Sequence, residues 1–212
     1  MSDQKARVRL AAARLYAITP EAEPSAIVQI VRAWLRGGVD AVQLRHKSLP
    51  RGHLLELAAG LAPLCREAGA LFIVNDHVDI ALASGAEGVH LGPDDLSLSG
   101  ARRAAGDRLL IGASAASPEA ATAAEAAGAD YLGSGPAYAT PLKTEKRVIG
   151  PAGVAAVAGA VRVPVFAIGG IDLDRLPELR ANGVTRVCAI RSLAAAADPE
   201  DQARRFREAL AG

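Results

Sequence analysis

One phrase recurs along this chain: a helical stretch closed by glycine, a small residue beside an acid, then a short apolar run. GGVDAVQL (37–44), GAEGVHL (85–91) and GADYLGS (128–134) carry it, and NGVTRVCAI (182–190) is a looser copy with Thr185 in the acid's place. Glycine fits the helix ends because a left-handed cap costs it no Cβ clash. Eight short apolar runs are spaced along the sequence: RLYAI (14–18), AVQL (41–44), LFIV (71–74), GVHL (88–91), LLIGA (109–113), YLG (131–133), PVFAI (164–168) and RVCAI (186–190). Each is too short for a helix and is bounded by polar or glycine-rich residues, the pattern of a parallel strand buried on both faces. Alanine- and leucine-rich helical stretches such as PSAIVQIVRAWLRGG and SPEAATAAEAAG separate them. Eight strands alternating with helices predict a single (β/α)8 TIM barrel, and 212 residues lies near the compact end of that class. A doubly wound open sheet, the main competitor, requires neither eight strands nor this regular spacing. No linker or shift of composition divides the chain, so residues 1–212 are expected to form one domain, with 1–12 as an N-terminal tail.

Composition narrows the function. Half the residues are apolar, and 24 basic residues face 23 acidic ones. No basic block is interleaved with aromatics, which argues against nucleic acid as a partner. No apolar stretch approaches the roughly 18 residues of a membrane span, and the N-terminus lacks the hydrophobic region of a signal peptide. Cys65 and Cys188, each in an apolar pattern, are read as two buried thiols of a cytoplasmic protein. The sequence does not give the oligomeric state and leaves a homo-oligomer open.

In a barrel of this kind the chemistry lies in the loops after the strands. Strand 2 is followed by Arg45, His46 and Lys47, with Gln43 just inside it; strand 3 by Asn75 and Asp76; strand 4 by Gly92, Asp94 and Asp95. Ser114 follows strand 5, a long GSGPAYATPLKTEKRVIG segment opens from strand 6, Gly169-Gly170 ends strand 7 and Arg191-Ser192 ends strand 8. Two anion sites follow. Arg45, Lys47 and Lys143 with the acids Asp76 and Asp95 would hold a diphosphate through Mg²⁺, since a hard oxygen donor set suits that ion. Gly169-Gly170 and the backbone after Ile190 would hold a monophosphate against free N–H groups. Two phosphorylated small molecules are thus expected as substrates. Taken singly, Asp94 and Asp95 also suit the N-terminus of a helix starting near Leu96. In combination, Asp79 and Asp94 are assigned to helix termini, leaving Asp76 and Asp95 for the metal. His90 alternates with apolar neighbours on its strand, while His46, His53 and His77 lack metal-ligand spacing.

QLRHK (43–47), VNDHVDIALASGAEGVHLGPDDL (74–96), IGASAASPEA (111–120), GADYLGSGPAYATPLKT (128–144) and VPVFAIGGID (163–172) resemble, in order, the motifs of the thiamine-phosphate synthase family. The resemblance runs from the LYAIT strand near Tyr16 to about Leu193. It implies a transferase that joins 4-amino-5-hydroxymethyl-2-methylpyrimidine diphosphate to a thiazole phosphate and releases pyrophosphate. It further implies Mg²⁺ on Asp76 and Asp95, with Arg45, Lys47, Ser114 and Lys143 on the diphosphate oxygens. Gln43, Asn75, His90 and Tyr131 match positions around the aminopyrimidine. Thr140, Gly170 and the Ile190 backbone match the thiazole-phosphate side; Arg191, a departure there, would either add a charged fork or distort a site made of backbone N–H groups.

The chain departs from the family pattern at several points. His46 replaces a usual Glu, Pro93 a usual Gln, Leu142 a polar residue, Ala116 a frequent His, and Arg191 a frequent Ser. Two other functions on the same barrel compete: a thiazole tautomerase, and a non-catalytic binder of thiazole phosphate or thiamine phosphate. The tautomerase pattern lacks the Asn-Asp pair and second acid and carries a His in the strand-5 loop. Retention of Asn75, Asp76 and Asp95 beside Ala116 favours the synthase.

Overall fold

A computed structural model of the chain describes residues 2–139 and 147–211. These residues form a closed barrel of eight parallel strands in sequential order. The strands are β1 (Leu15–Ile18), β2 (Ala41–Leu44), β3 (Leu71–Asn75), β4 (Gly88–Leu91), β5 (Leu110–Ser114), β6 (Tyr131–Ser134), β7 (Val165–Ile168) and β8 (Val187–Ala189). The helices are α1 (Ser2–Ala12), α2 (Pro24–Arg36), α3 (Arg51–Glu67), α4 (Val78–Ser84), α5 (Leu98–Ala105), α6 (Pro118–Ala126), α7 (Gly150–Gly159), α8 (Leu176–Ala181), α9 (Arg191–Ala194) and α10 (Pro199–Ala211). All eight expected strands are present, β2 and β4 at the expected bounds and the others with ends shifted by one residue. Among the described residues, no helix is long and apolar enough to cross a membrane.

Alternation along the strands builds two cores. Outward residues such as Leu15, Val42, Phe72, Val89 and Ile111 meet the helices, where α2 supplies Ile27, Val31 and the fully buried Trp34 from one stripe. Inward residues Tyr16, Leu71, Ile73, Leu110, Tyr131 and Phe166 fill the barrel. Tyr16, Tyr131 and Phe166 meet edge to face, with centroids 5.4–6.0 Å apart. That arrangement suits the ring quadrupoles and fixes the floor beneath the rim.

Residues 2–12, expected as a tail, instead form α1. Its apolar stripe is thin: Ala6 and Leu10, continued by Ala13, pack against the inward strand residues. Arg7 bridges Asp130, and Arg9 reaches Glu87 and the carbonyl of Ala70, so the helix seats on the end of the barrel where the strands begin. Three small or single apolar contacts among charged residues give too weak a period to be seen without the barrel that they close.

The recurring acid has a structural explanation. Asp40, just before β2, accepts the N–H of Leu15 in β1 at 2.9 Å. Glu87, before β4, accepts the N–H of Phe72 in β3 at 2.9 Å, and Asp130, before β6, that of Ile111 in β5 at 2.8 Å. Each carboxylate also meets arginine: Asp40 with Arg207, Glu87 with Arg9, Asp130 with Arg7 and Arg102. The acid of each phrase therefore latches the entry of its own strand to that of the preceding strand. The glycine and apolar positions set the helix end and the strand; the acid sets their register at the bottom of the barrel.

Candidate active site

The site grows from the strand ends opposite α1. After β3 the backbone stays paired with β4 for one residue more, because Asp76 donates its N–H to the His90 carbonyl at 2.9 Å. Asp76 has φ 66°, in the left-handed region that only a short polar side chain tolerates readily. Such backbone conformations persist where surrounding contacts hold them. Asp95 is fixed from the other side, accepting the Gly92 N–H at 2.7 Å. The two carboxyl groups meet through a side-chain hydrogen bond.

This pairing decides their chemistry. Burial, then the hydrogen bond to Asp95 and its charge, push the Asp76 carboxyl up to about 6, against the opposing pull of Lys47 and Arg45. Two half-buried carboxylates side by side repel each other when both are charged, and a cation between them relieves that repulsion. Among the described residues no third His, Cys, Asp or Glu completes a metal cage. Two carboxylates with open positions fit Mg²⁺, which keeps waters and takes further oxygens from a phosphate. Asp94 does not cap the next helix. Ser97 does, its Oγ accepting the Gly100 N–H at 3.2 Å, so α5 starts two residues beyond the expected Leu96. Asp79 lies in the first turn of α4, paired with Arg51 in solvent.

A pH prediction follows from the pair. The Asp76 pKa in the folded, metal-free chain lies above its ordinary value of 3.8. The folded state then binds more protons than the unfolded state between the two values, so this group's contribution to stability rises as pH falls through about 6. Urea unfolding of wild type and Asp76→Asn, without metal, at about pH 5 and about pH 8 measures it. Wild type should gain stability relative to the variant at the lower pH; a constant difference would contradict the raised Asp76 pKa.

The remaining expected residues divide into two groups. Gln43, Arg45, Asn75, His90, Ser114 and Tyr131 gather with the two acids on β2 to β6. Asn75 lies beside His90 in the strand register. His90 contacts Ser114 Oγ through Nε2 at 3.0 Å and the Tyr131 hydroxyl through Nδ1 at 3.3 Å. Tyr131 is 1% exposed, and so reaches the rim through His90. Lys47 is exposed at the mouth. Gly170, Ile190 and Arg191 lie on the β7–β8 side. There Gly169 and Gly170 have φ 101° and 64°, and Ser192 ties the two loops by donating to the Ile171 carbonyl at 2.7 Å. A Cβ on Gly170 would stand 2.8 Å from the Ala139 carbonyl oxygen, so the glycine pair lies against the segment leaving β6. Arg191 opens α9 with its side chain exposed. Thr140, Leu142 and Lys143 lie outside the described residues.

Two residues escaped the sequence analysis. Thr19, 1% exposed after β1, accepts the Arg45 N–H at 3.0 Å and donates to the Arg45 carbonyl at 3.2 Å. It fixes the backbone from which the Arg45 guanidinium projects, and examining the loop after strand 1 by the same rule as the others would have found it. Tyr16 lies one layer below, donating and accepting within the barrel. A recess lined by Ala116, Gly135, Pro136, Arg147 and Ile149 adjoins the β5–β6 edge of the rim.

A family model described as thiamine monophosphate synthase matches residues 15–193. The chain belongs to this family. A thiamine-phosphate synthase of Gloeobacter violaceus is 47% identical over 205 residues, 96% of this chain and 59% of that protein. One of Chlorobium luteolum is 43% identical over 191 residues, covering 90% of this chain and 89% of its own length. This chain therefore spans little more than half of the first relative and most of the second. The solved thiamine phosphate pyrophosphorylase of Pyrococcus furiosus superposes with a TM-score of 0.86 at 38% identity, covering 97% of this chain and 98% of that one. The paired acids, Arg45, Ser114 and the double glycine lie at the strand ends of this barrel, within or beside the matched residues.

Proposed function

We propose that this chain is a thiamine-phosphate synthase, joining 4-amino-5-hydroxymethyl-2-methylpyrimidine diphosphate to 4-methyl-5-(2-phosphooxyethyl)thiazole with release of pyrophosphate. The observation that carries this reading is the Asp76–Asp95 pair, half-buried, side by side and faced by Lys47 and Arg45. Mg²⁺ held by these two carboxylates and the diphosphate oxygens would neutralise the leaving group. Arg45, Lys47, Ser114 and Lys143 bind the remaining diphosphate oxygens. Asn75 and His90 meet the polar edges of the aminopyrimidine, above the buried Gln43 amide and Tyr131 ring. Thr140, Gly170 and the Ile190 backbone receive the thiazole phosphate, with Arg191 adding charge.

The reaction is a dissociative substitution. The C–O bond to the diphosphate breaks first, giving a pyrimidinylmethyl cation that the electron-rich aminopyrimidine stabilises. The thiazole nitrogen then supplies the electron pair for the new C–N bond. Catalysis comes from charge stabilisation on the departing pyrophosphate and from alignment of the second substrate. Two buried thiols, Cys65 and Cys188, fit a cytoplasmic enzyme.

Incubating purified protein with both substrates and Mg²⁺, and assaying thiamine phosphate and pyrophosphate, tests the proposal. Product should form in equal amounts of each and stop on chelation. Binding of the thiazole phosphate by folded protein without any product would overturn the reading in favour of a non-catalytic binder.

A further inference from the structure

Five side chains form a continuous hydrogen-bonded line from the barrel interior to the rim. Gln43 Nε2 donates to Tyr16 Oη at 2.7 Å, and Tyr16 Oη meets Tyr131 Oη at 3.0 Å. Tyr131 Oη meets His90 Nδ1 at 3.3 Å, and His90 Nε2 meets Ser114 Oγ at 3.0 Å. Burial raises both phenols far above their ordinary range, so each keeps its hydrogen near neutrality. The line needs empty space: a Cβ on Gly112 would stand 2.4 Å from Tyr131 Oη and 2.1 Å from its Cζ. Only glycine at that position lets the hydroxyl reach its two partners.

Donor counting gives the line a direction. Each phenol has one hydrogen to donate. Tyr16 already accepts from the Gln43 amide, and its own hydrogen goes to Tyr131, because a buried hydroxyl left without a partner is costly. Tyr131 then donates to His90 Nδ1, which must carry no hydrogen. The neutral imidazole is left with its hydrogen on Nε2, and that N–H donates to Ser114 Oγ. The serine hydrogen is thereby released toward the open rim. This is the reverse of a nucleophilic Ser–His pair, in which the imidazole accepts from serine and its other N–H faces a carboxylate.

We infer that Tyr16, with Gln43, is a positioning residue: it sets the His90 tautomer through Tyr131 and so aims the Ser114 hydroxyl outward as a donor to a phosphate oxygen. The device explains why Ser114 serves as an anion donor although a histidine lies beside it. The final link, to the departing diphosphate, rests on the function proposed above; the tautomer does not.

Nitrogen-15 NMR of the His90 ring in the metal-free, substrate-free protein tests the relay directly. Wild type should carry the hydrogen on Nε2. Gln43→Glu places an acceptor at the head of the line and should move it to Nδ1, while Tyr16→Phe should give a mixture of tautomers. A hydrogen on Nδ1 in wild type, or one tautomer unchanged in both variants, would overturn the proposal. Should Tyr16→Phe fail to fold, judged by its thermal transition, Gln43→Glu alone decides the point. Isothermal titration with pyrophosphate and Mg²⁺ tests the outward donor: Tyr16→Phe should bind about three- to tenfold more weakly, the loss expected when one neutral hydrogen bond is weakened. Unchanged affinity would remove Tyr16 from anion binding. A normal tautomer in a protein that makes no thiamine phosphate would count against the synthase reading and leave the relay standing.

Discussion

Asp76→Ala and Asp95→Ala should each lower kcat/KM for thiamine phosphate formation by about 10²–10³-fold or more, the range for losing one preorganised electrostatic group at a developing charge. The two effects should not add. The acids contact each other, and act as a unit, so the double variant should fall little below either single one. Chelation of wild type should bring it to the same floor. The thiazole phosphate affinity should survive in both variants, since the subsite proposed for it lies on β7 and β8. Asp79→Ala is the control: Asp79 is exposed, pairs with Arg51 in solvent and lies in the first turn of α4, so turnover should stay near wild type. Steady-state kinetics with pyrophosphate release as the readout checks all four proteins. Near-normal turnover in Asp76→Ala would remove the metal from the mechanism. An additive loss in the double variant would assign the acids to separate tasks.

The sequence made these acids visible because barrel geometry filters residues by position. Once eight runs are recognised as strands, the residue after each one belongs to the rim, and Asp76 emerges without any knowledge of its backbone. The sequence separated Asp94 from Asp95 but gave Asp94 the wrong role. Both lie within reach of the next helix, and only the Ser97 cap in the fold takes that role. Tyr16 was hidden for a different reason. On an apolar strand a tyrosine reads as core, which its ring is, and its further role resides in one hydroxyl whose partners come from two other strands. Thr19 was concealed in the same way, since its bonds to Arg45 span two strand ends. Local pattern finds elements and rims; it does not find polar contacts made across a barrel. The α1 helix falls between these cases, since its apolar stripe means little until the barrel end it covers is present.

Asp130→Ala should destabilise the fold by about 3–5 kcal/mol, the cost of removing one partner from a buried ion pair and leaving the others uncompensated. The carboxylate side chain is 6% exposed and serves three donors: the Ile111 N–H at 2.8 Å, Arg102 at 2.7 Å and Arg7. Its loss strands a buried amide at the start of β5 and releases α1 from the barrel end. Small domains have only about 5–15 kcal/mol to lose, so the variant should be unfolded in part near physiological temperature. Asp130→Asn separates the contributions: its amide oxygen can still accept the Ile111 N–H, while the pairing with two guanidiniums is lost, so a smaller destabilisation is expected. Arg7→Ala should cost least, because Arg7 is 42% exposed and an exposed ion pair is worth about 0–1 kcal/mol. Urea unfolding followed by circular dichroism gives the order Asp130→Ala, Asp130→Asn, Arg7→Ala. An Asp130→Ala protein as stable as wild type would mean that the recurring acid is not a strand latch. The same substitution at Asp40 makes the test general: it accepts from Arg14 and Leu15 and pairs with Arg207 across the β1–β2 entry. A loss there of the same sign ties the repeated acid to strand register rather than to the chemistry at the opposite rim.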